Sequence, residues 1–408
     1  MVEIKILNGS ASIGGNFIRI EDGDRVIIFD QGIRFDLMGK YYSGFITPRG
    51  VVELRDLGVL PKPEWYEGAS RIYISHMHLD HLGALSNIPR ETIVKLPSIA
   101  IYEDMEEKWG VSPTWLSLIP RKYYVEIGEL QPLQTDENGV MAIPVSHSAY
   151  PAYSLLYFGK GETVLYTGDF RIEGFLNQEL FRRLNQGDDL LTFLEENKDI
   201  KIDSLIIEGT NIGSDKIPIA PSDALKIIKK LFRNRRQLLA TLHSLDMEYA
   251  YALVSTAKEM NINVAVASNQ LAKLLEKIPE LPLEPQVIEG YVDHLTPFES
   301  TSIESMKEKV LILVSYREIV DLIRDLGLAR NLSQDCLAII SEPEPQIEEG
   351  LEYPIITNWF LMTGIESYRI RSSGHYYQYQ IKTILDKIKP KKNIEVIHTE
   401  KPRMSSRK

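Results

Sequence analysis

The sequence predicts an α/β protein in which one α/β domain is inserted into another. In the first half of the chain, short apolar strands end in polar residues; from about residue 212, strands alternate regularly with helices. Such alternation is typical of βαβ units on a parallel sheet, so we interpret 212–362 as a separate domain. The short-strand pattern then returns. We therefore expect a first domain over 1–211, resumed by a return segment over 363–408.

Composition and charge exclude several classes of protein. Of 408 residues, 44% are hydrophobic and 25% charged, which excludes a disordered, collagen-like or coiled-coil chain. The single cysteine, Cys336, cannot form an intrachain disulfide, so we expect a reducing compartment, the cytoplasm. No apolar run is long enough to span a bilayer, and we expect no membrane partner. The net charge of −11 means that any nucleic-acid binding must use a local basic surface or metal cations.

Four predicted strands of the first domain end in acidic or histidine residues. The pair Asp22-Gly23 predicts a hairpin, whose second strand ends at Asp30. The other three strands are 71–75, 163–167 and 204–207, and they end at His76, Asp169 and Glu208. Residues 31–70 are expected to be an irregular loop, and further strands are expected before His147 and His398. Because a rigid sheet presents side chains at its edge, we predict a functional site at these strand ends.

The middle domain is predicted from its alternation of strands and helices. We expect strands at 237–241, 263–267, 310–314 and 336–340, and helices at 222–236, 246–259, 271–278 and 318–326. After it we expect a strand at 368–371, a helix at 376–388 and a strand at 394–397.

Histidines are concentrated in one short segment. Three of the eight lie within His76-Met77-His78-Leu79-Asp80-His81. Protonated imidazoles so close together would repel, whereas neutral ones can hold a cation, and zinc prefers imidazole and carboxylate ligands. We therefore predict a metal site, with His147 and Asp169 as further ligands; an ordinary surface cluster is the alternative. His375 and His398 stand in similar contexts, while His243 and His294 are assigned surface or structural roles.

The order of these motifs resembles a known family. Asp30, the His76–His81 segment, His147 and Asp169 look like the successive motifs of the metallo-β-lactamase fold. Glu208, His375 and His398 resemble the three additional motifs of the β-CASP nucleases, most like those of ribonuclease J and its archaeal relatives. The resemblance implies a metallo-β-lactamase αββα sandwich with an inserted Rossmann-like β-CASP domain.

The resemblance also implies a zinc-dependent ribonuclease with two zinc ions per chain. The implied metal ligands are His76, His78 and His147 for one ion, Asp80, His81 and His398 for the other, and Asp169 bridging both. His375 is the implied general acid, and Glu208 would orient His375 or a ligand histidine; Asp80 is also counted as catalytic. Backbone groups at Ser373 and Gly374 would bind a substrate phosphate, and Asp30 would support the histidine segment.

The implied substrate is single-stranded RNA, cleaved in RNA processing or decay, with 5′-to-3′ exonuclease activity as one mode. DNA-specific members of the group usually carry valine at the last motif, so His398 favours RNA. The alternatives are a DNA nuclease, another hydrolase of the fold, or a non-catalytic RNA-processing subunit, which typically lacks metal ligands. Ribonuclease J usually has Ser-Gly-His-Ala where this chain has Ser-Gly-His-Tyr. We expect no separate C-terminal domain, since the sequence ends shortly after His398; a homo-oligomer or an RNA-decay complex remains open.

Overall fold

The structure is a computed structural model that describes residues 2–42, 46–110, 112, 115–118, 125–215, 217–306, 309–328, 332, 335–341 and 353–401. The chain divides into two compact units, 1–172 with 177–217 and 374–408, and 173–176 with 218–373. The strands are β1 Val2–Asn8, β2 Phe17–Asp22, β3 Arg25–Phe29, β4 Arg71–Tyr73, β5 Ile93–Leu96, β6 Glu126–Glu129, β7 Val140–Pro144, β8 Tyr153–Phe158, β9 Thr163–Tyr166, β10 Ser204–Glu208, β11 Gln237–Thr241, β12 Asn263–Val266, β13 Gln286–Ile288, β14 Ser300–Thr301, β15 Val310–Val314, β16 Cys336–Ile340, β17 Glu366–Arg369 and β18 Asn393–Ile397. The α-helices are α1 Phe35–Tyr41, α2 Val51–Asp56, α3 Leu79–Leu82, α4 Ile99–Gly110, α5 Gln178–Asn185, α6 Leu190–Glu196, α7 Pro221–Phe232, α8 Met247–Glu259, α9 Asn269–Glu276, α10 Ile319–Leu328, α11 Tyr353–Thr363 and α12 Ile381–Ile388.

The first unit is a sandwich of two sheets. One has the order β1-β2-β3-β4-β5-β6, and the other β18-β10-β9-β8-β7. Apolar side chains of both sheets, such as Ile18, Phe29, Leu155 and Tyr157, form one buried core between them. Helices α6 and α12 cover the outer face of the second sheet. Burial of this kind supplies most of the stability of a layered domain, and the α/β sandwich predicted from the sequence is confirmed.

Parallel pairing explains why the polar strand ends meet. In the second sheet β9, β10 and β18 are parallel neighbours, and Glu208 pairs with Ile397. In the first sheet β3 and β4 are parallel, and Phe29 pairs with Tyr73. Since parallel strands end at the same sheet edge, the residues that follow these strands are brought side by side.

The second unit contains a parallel sheet of order β14-β13-β12-β15-β11-β16-β17. Its central strands β11, β15 and β16 are buried at every residue, which is typical of strands covered on both faces, whereas the edge strand β17 is exposed. Helices α10 and α11 pack on the sheet through side chains such as Leu322 and Phe360. The predicted βαβ architecture of the middle segment is therefore present.

Both predicted boundaries of the inserted domain differ from the structural division. Its start, expected at 212, lies at 218, and the short segment 173–176 also belongs to it. We expected the first domain to resume at 363, but β17 at 366–369 pairs in parallel with β16 and completes the second unit's sheet. The division places the return at 374. A short strand that pairs with a distant strand has no local sequence signal that identifies its sheet.

Other expectations differ in detail. The irregular loop expected over 31–70 contains α1 and α2, and strands β1 and β5 and helix α4 were not predicted. The helix expected over 376–388 begins as a 3₁₀ turn at Gln378–Gln380, and only Ile381–Ile388 is α-helical. Among the described helices, none has the length and hydropathy needed to cross a bilayer.

Candidate metal centre

The histidine segment leaves β4 and is held in a tight loop at the sheet edge. The backbone N–H groups of Gly15 and Asn16 donate to the carbonyl of Asp80, at 2.9 and 3.3 Å. A side chain at Gly32 would place its Cβ 1.6 Å from that same carbonyl oxygen, so only glycine fits there. This close packing turns His76, Asp80 and His81 inward together.

The first group of candidate ligands is His76, His78 and His147. His78 Nδ1 lies 3.1 Å from His76 Nε2 and 3.2 Å from His147 Nε2. The opposite nitrogens face hydrogen-bond acceptors: His147 Nδ1 donates to the carbonyl of Gly374 at 2.7 Å, and His76 Nδ1 lies 3.1 Å from Ser75 Oγ. Each outer bond leaves the inner Nε2 without a proton, which directs its lone pair into the group.

The second group of candidate ligands contains His81, His398, Asp80 and Asp169. Asp169 Oδ2 lies 3.1 Å from His81 Nε2 and 3.5 Å from His398 Nε2. Asp80 Oδ2 lies 3.9 Å from His81 Nε2 and 3.8 Å from His398 Nε2. Asp169 Oδ2 is also 3.9 Å from His76 Nε2, so it connects the two groups.

Electrostatics favour neutral imidazoles in the first group. Burial, followed by the neighbouring histidines, lowers the pKa of His76 well below its usual value, and burial lowers that of His147 as well.

The two histidines of the second group differ from each other. Burial lowers the pKa of His398 to about 3. Burial also acts to lower the pKa of His81, but the carboxylates of Asp169, Asp80 and Asp30 raise it well above normal.

The carboxylates of the second group respond in opposite directions. Burial raises the pKa of Asp80. Burial acts in the same direction on Asp169, but His398, His81 and His375 together lower its pKa well below the usual value. Asp169 is therefore charged among buried imidazoles.

The residues present fit a metal centre. Among the described residues, no partner with hydrogen-bond geometry reaches the buried atoms His81 Nε2 and Asp169 Oδ1, although Asp169 Oδ2 lies 3.1 Å from His81 Nε2 and buried polar atoms are nearly always satisfied. Within the part of the chain that the structure describes, four overlapping sets of ligand atoms lie close enough to hold a cation. These sets are His76 with His78 and His147, His76 with Asp80 and His81, His81 with Asp169 and His398, and His147 with Asp169 and His375. Imidazole nitrogens and carboxylate oxygens that lack a hydrogen-bond partner are donor atoms of the type that zinc binds.

A buried hydrogen-bond chain supports the second group. Asp30 Oδ2 accepts from His81 Nδ1 at 2.8 Å and from Tyr166 OH at 2.7 Å, and Asp30 Oδ1 accepts from Ser75 N at 2.7 Å. Asn16 Nδ2 donates to Tyr166 OH at 3.0 Å, and Asn16 Oδ1 lies 3.2 Å from His398 Nδ1. Asp30 thus lies beside the histidine segment, as expected. Asn16 and Tyr166 were not identified from the sequence, where Asn16 only extends a Gly-Gly turn.

Two backbone positions beside these ligands are unusual. Asp30 and His398 have positive φ angles of 56° and 54°, a conformation that non-glycine residues rarely adopt. Each follows directly on a strand, so the chain turns sharply to aim these side chains at the centre. Local strain of this kind is concentrated at functional sites.

His375 and Glu208 lie next to the two ligand groups. His375 Nδ1 is 3.2 Å from Glu208 Oε1 and 3.1 Å from Thr210 Oγ1. It is also 3.8 Å from Asp169 Oδ2. Thr210 was not identified from the sequence. Glu208 thus contacts His375 directly, one of the two partners the sequence left open for it.

The pair Ser373-Gly374 precedes His375, and the position of Gly374 is closely restricted. A Cβ on Gly374 would lie 2.4 Å from Ser148 Oγ and 3.1 Å from His147 Nδ1. The group that Gly374 offers to the centre is its carbonyl, which orients His147. Elsewhere, His294 lies between Asn269 and Glu276, in the structural role expected for it.

Comparison with known proteins agrees with this geometry. Residues 13–206 match the family model of the metallo-β-lactamase superfamily. Ribonuclease J of Helicobacter pylori is 23% identical over 96% of this chain and 55% of its own length. Ribonuclease J of Pyrococcus abyssi is 24% identical over 67% of this chain and 60% of its own length. The chain thus spans little more than half the length of these relatives.

A solved structure shares the whole fold. The crystal structure of a protein of unknown function from Enterococcus faecalis V583 has a TM-score of 0.73, with 20% identity, over 98% of this chain and 95% of that one. Together with the sandwich and the clustered motif residues, these comparisons confirm the predicted resemblance: the chain has a metallo-β-lactamase fold and is similar to ribonuclease J over nearly its whole length.

Proposed function

We propose that this protein is a zinc-dependent ribonuclease that hydrolyses phosphodiester bonds of single-stranded RNA, in RNA processing or decay. The observation that carries the proposal is the pair of adjoining ligand groups with the unsatisfied atoms His81 Nε2 and Asp169 Oδ1. The similarity to proteins named ribonuclease J supports RNA as the substrate class.

The two ligand groups would hold two zinc ions. His76, His78 and His147 are assigned to one ion, Asp80, His81 and His398 to the other, and Asp169 to both. Zinc in such a pair lowers the pKa of water towards about 7 and neutralises charge on a phosphodiester. The cations would also add positive charge to a chain of net charge −11, which favours binding of a polyanion.

His375 is assigned the general-acid role. Its Nδ1 is fixed by Glu208 and Thr210, so the ring is oriented by bonds that do not involve substrate. The Glu208 carboxylate stabilises positive charge on the ring, and a protonated imidazole can pass its proton to a departing 3′-oxygen. Glu208 is therefore a positioning residue. Asp80 contributes as a ligand carboxylate. The backbone groups of Ser373 and Gly374 are assigned to binding of the substrate phosphate.

The test uses 5′-labelled RNAs that carry triphosphate, monophosphate or hydroxyl ends, beside DNA of the same sequence. We expect the RNAs to be cut and the DNA to be cut much more slowly. The product ladder separates exonuclease from endonuclease action, and the three ends report any dependence on the 5′ group. Equal cleavage of DNA would indicate a DNA nuclease, and no cleavage of either by zinc-loaded protein would indicate a non-catalytic subunit.

The setting of the activity is also a proposal. We assign the protein to the cytoplasm because its one cysteine, Cys336, is a buried free thiol. A homo-oligomer or an RNA-decay complex is tested by light scattering of the purified protein and by its co-purification with other RNA-processing proteins.

A further inference from the structure

An aromatic pair next to His375, the half-buried Tyr377 and the exposed Tyr379, has no part in the roles assigned above. The rings of Tyr377 and Tyr379 are stacked almost parallel, with centroids 6.0 Å apart and planes at 8°. Tyr379 is 67% exposed, whereas its neighbour Tyr376 is 1% exposed and packs in the core. Core packing therefore explains Tyr376 but not the ring of Tyr379.

Hydrogen bonds on two sides hold the turn that carries the two tyrosines. Both rings lie on the 3₁₀ turn that precedes α12, where Tyr377 N donates to Gln380 Oε1 at 2.8 Å. The next residue, Gln378, accepts from the backbone N–H of Gly213 at 2.8 Å. Because the turn is bonded on both sides, its backbone is held in place before any ligand arrives, which reduces the entropy cost of binding.

A lysine reaches the same point from another segment of the site. Lys401 Nζ donates to the carbonyl of Gly213, the residue whose N–H holds Gln378. Gly213 follows shortly after Glu208, the tyrosines follow His375, and Lys401 follows His398. Three segments that carry candidate catalytic or ligand residues therefore meet at one surface point.

We propose that Tyr377, Tyr379 and Lys401 form a binding site for a nucleotide that flanks the scissile bond of single-stranded RNA. The base stacks on Tyr379, with Tyr377 behind it, and the Lys401 ammonium binds the adjoining phosphate. Flat aromatic rings beside a cation are how single-strand binders hold RNA without reading its sequence. The inference rests on the proposed function and adds the site where substrate outside the reaction centre is held.

Fluorescence anisotropy with 5′-fluorescein oligouridine RNA tests the site, in zinc-loaded protein carrying His375→Ala so that the probe is not consumed. Tyr379→Ala is expected to weaken binding about 5- to 150-fold, the range measured for one stacked base. Tyr379→Phe keeps the ring and should bind like the parent. Lys401→Ala should reduce the slope of log affinity against log salt by about 0.7, the contribution of one phosphate contact.

Lys201→Ala is the matched control. Lys201 is exposed and precedes β10, at the opposite end of that strand from Glu208, so its removal should leave both affinity and salt slope unchanged. Parent affinity in Tyr379→Ala, or an equal loss in Tyr379→Phe, would overturn the stacking site while RNA binding by the parent persists. Failure of the His375→Ala parent to bind RNA, together with failure of the unsubstituted protein to cut it, would instead overturn the proposed function itself.

Discussion

The two ligand groups of the candidate centre are supported in different ways. In the first, His76 and His147 are oriented by single neutral acceptors, a serine hydroxyl and a backbone carbonyl. In the second, His81 and His398 are joined through Asp30, Tyr166 and Asn16 in one buried chain.

Their charges differ as well. The first group consists of imidazoles, whereas the second combines imidazoles with the carboxylates of Asp80 and Asp169. Histidine ligands of the same kind are therefore oriented by different hydrogen-bond partners in the two groups. We expect the first group to depend on individual residues and the second on its network.

Loss of a ligand gives the largest expected effect. His147→Ala should lose the ion of the first group and His398→Ala that of the second, with cleavage lost in both, because each variant removes one of the few protein ligands assigned to that ion. Metal analysis after purification without chelator is the measurement. His294→Ala, in the second unit, is the matched control. If either variant lost both ions, the groups would be one cooperative site rather than two.

Substitution of His375 should separate proton transfer from metal binding. His375→Ala is expected to retain both zinc ions and its fold but to cleave RNA about 10²–10⁴-fold more slowly, the usual contribution of a general acid. Single-turnover rates and metal content are measured on the same sample. Stoichiometric loss of zinc would make His375 a ligand, in line with its distance of 3.8 Å from Asp169; a parental rate would remove its catalytic role.

Disruption of the buried chain should weaken the second group alone. Both Asn16 Oδ1 and Gly14 N lie 3.2 Å from His398 Nδ1, and only the bond to Asn16 leaves Nε2 free for a cation. Asn16→Leu should therefore lower zinc affinity of the second group about 10- to 100-fold, as loss of a ligand's hydrogen-bond partner usually does.

Competitive titration with a chromogenic chelator measures that affinity. Asn185→Leu, which removes a buried amide that donates to the Phe181 carbonyl in α5, is the control for general destabilisation. An equal loss at both groups would mean that the chain supports the whole centre.

The smallest expected effect concerns the first group. In Gly374→Ala the new Cβ must displace Ser148 or His147. We expect the zinc affinity of the first group to fall by less than about 10-fold, which is the smallest loss usual when a ligand loses its hydrogen-bond partner. The same titration measures it. Gly327→Ala is the control, since nothing lies within 4 Å of a Cβ there. Unchanged affinity would show that the close approach of Gly374 is not needed to orient His147.

Much of the fold could be predicted because its signals are local. Strands such as β11, β15 and β16 have the predicted bounds, since each is a short apolar run between polar residues. The assignment of β17 to the wrong domain has the opposite cause. Its exposed sequence Glu-Ser-Tyr-Arg carries no sign of the strand it pairs with, and only the pairing with β16 decides its domain.

The sequence by itself determined the candidate metal ligands, because closely spaced histidines and strand-terminal carboxylates are visible as residue types in order. Only the tertiary structure decided which nitrogen of each ring faces the centre. His147 is oriented by Gly374, 227 positions away, and His398 by Asn16, 382 positions away. Hydrogen bonds between such distant residues leave no periodic or local pattern, so they exist only once the sheets have brought their edges together.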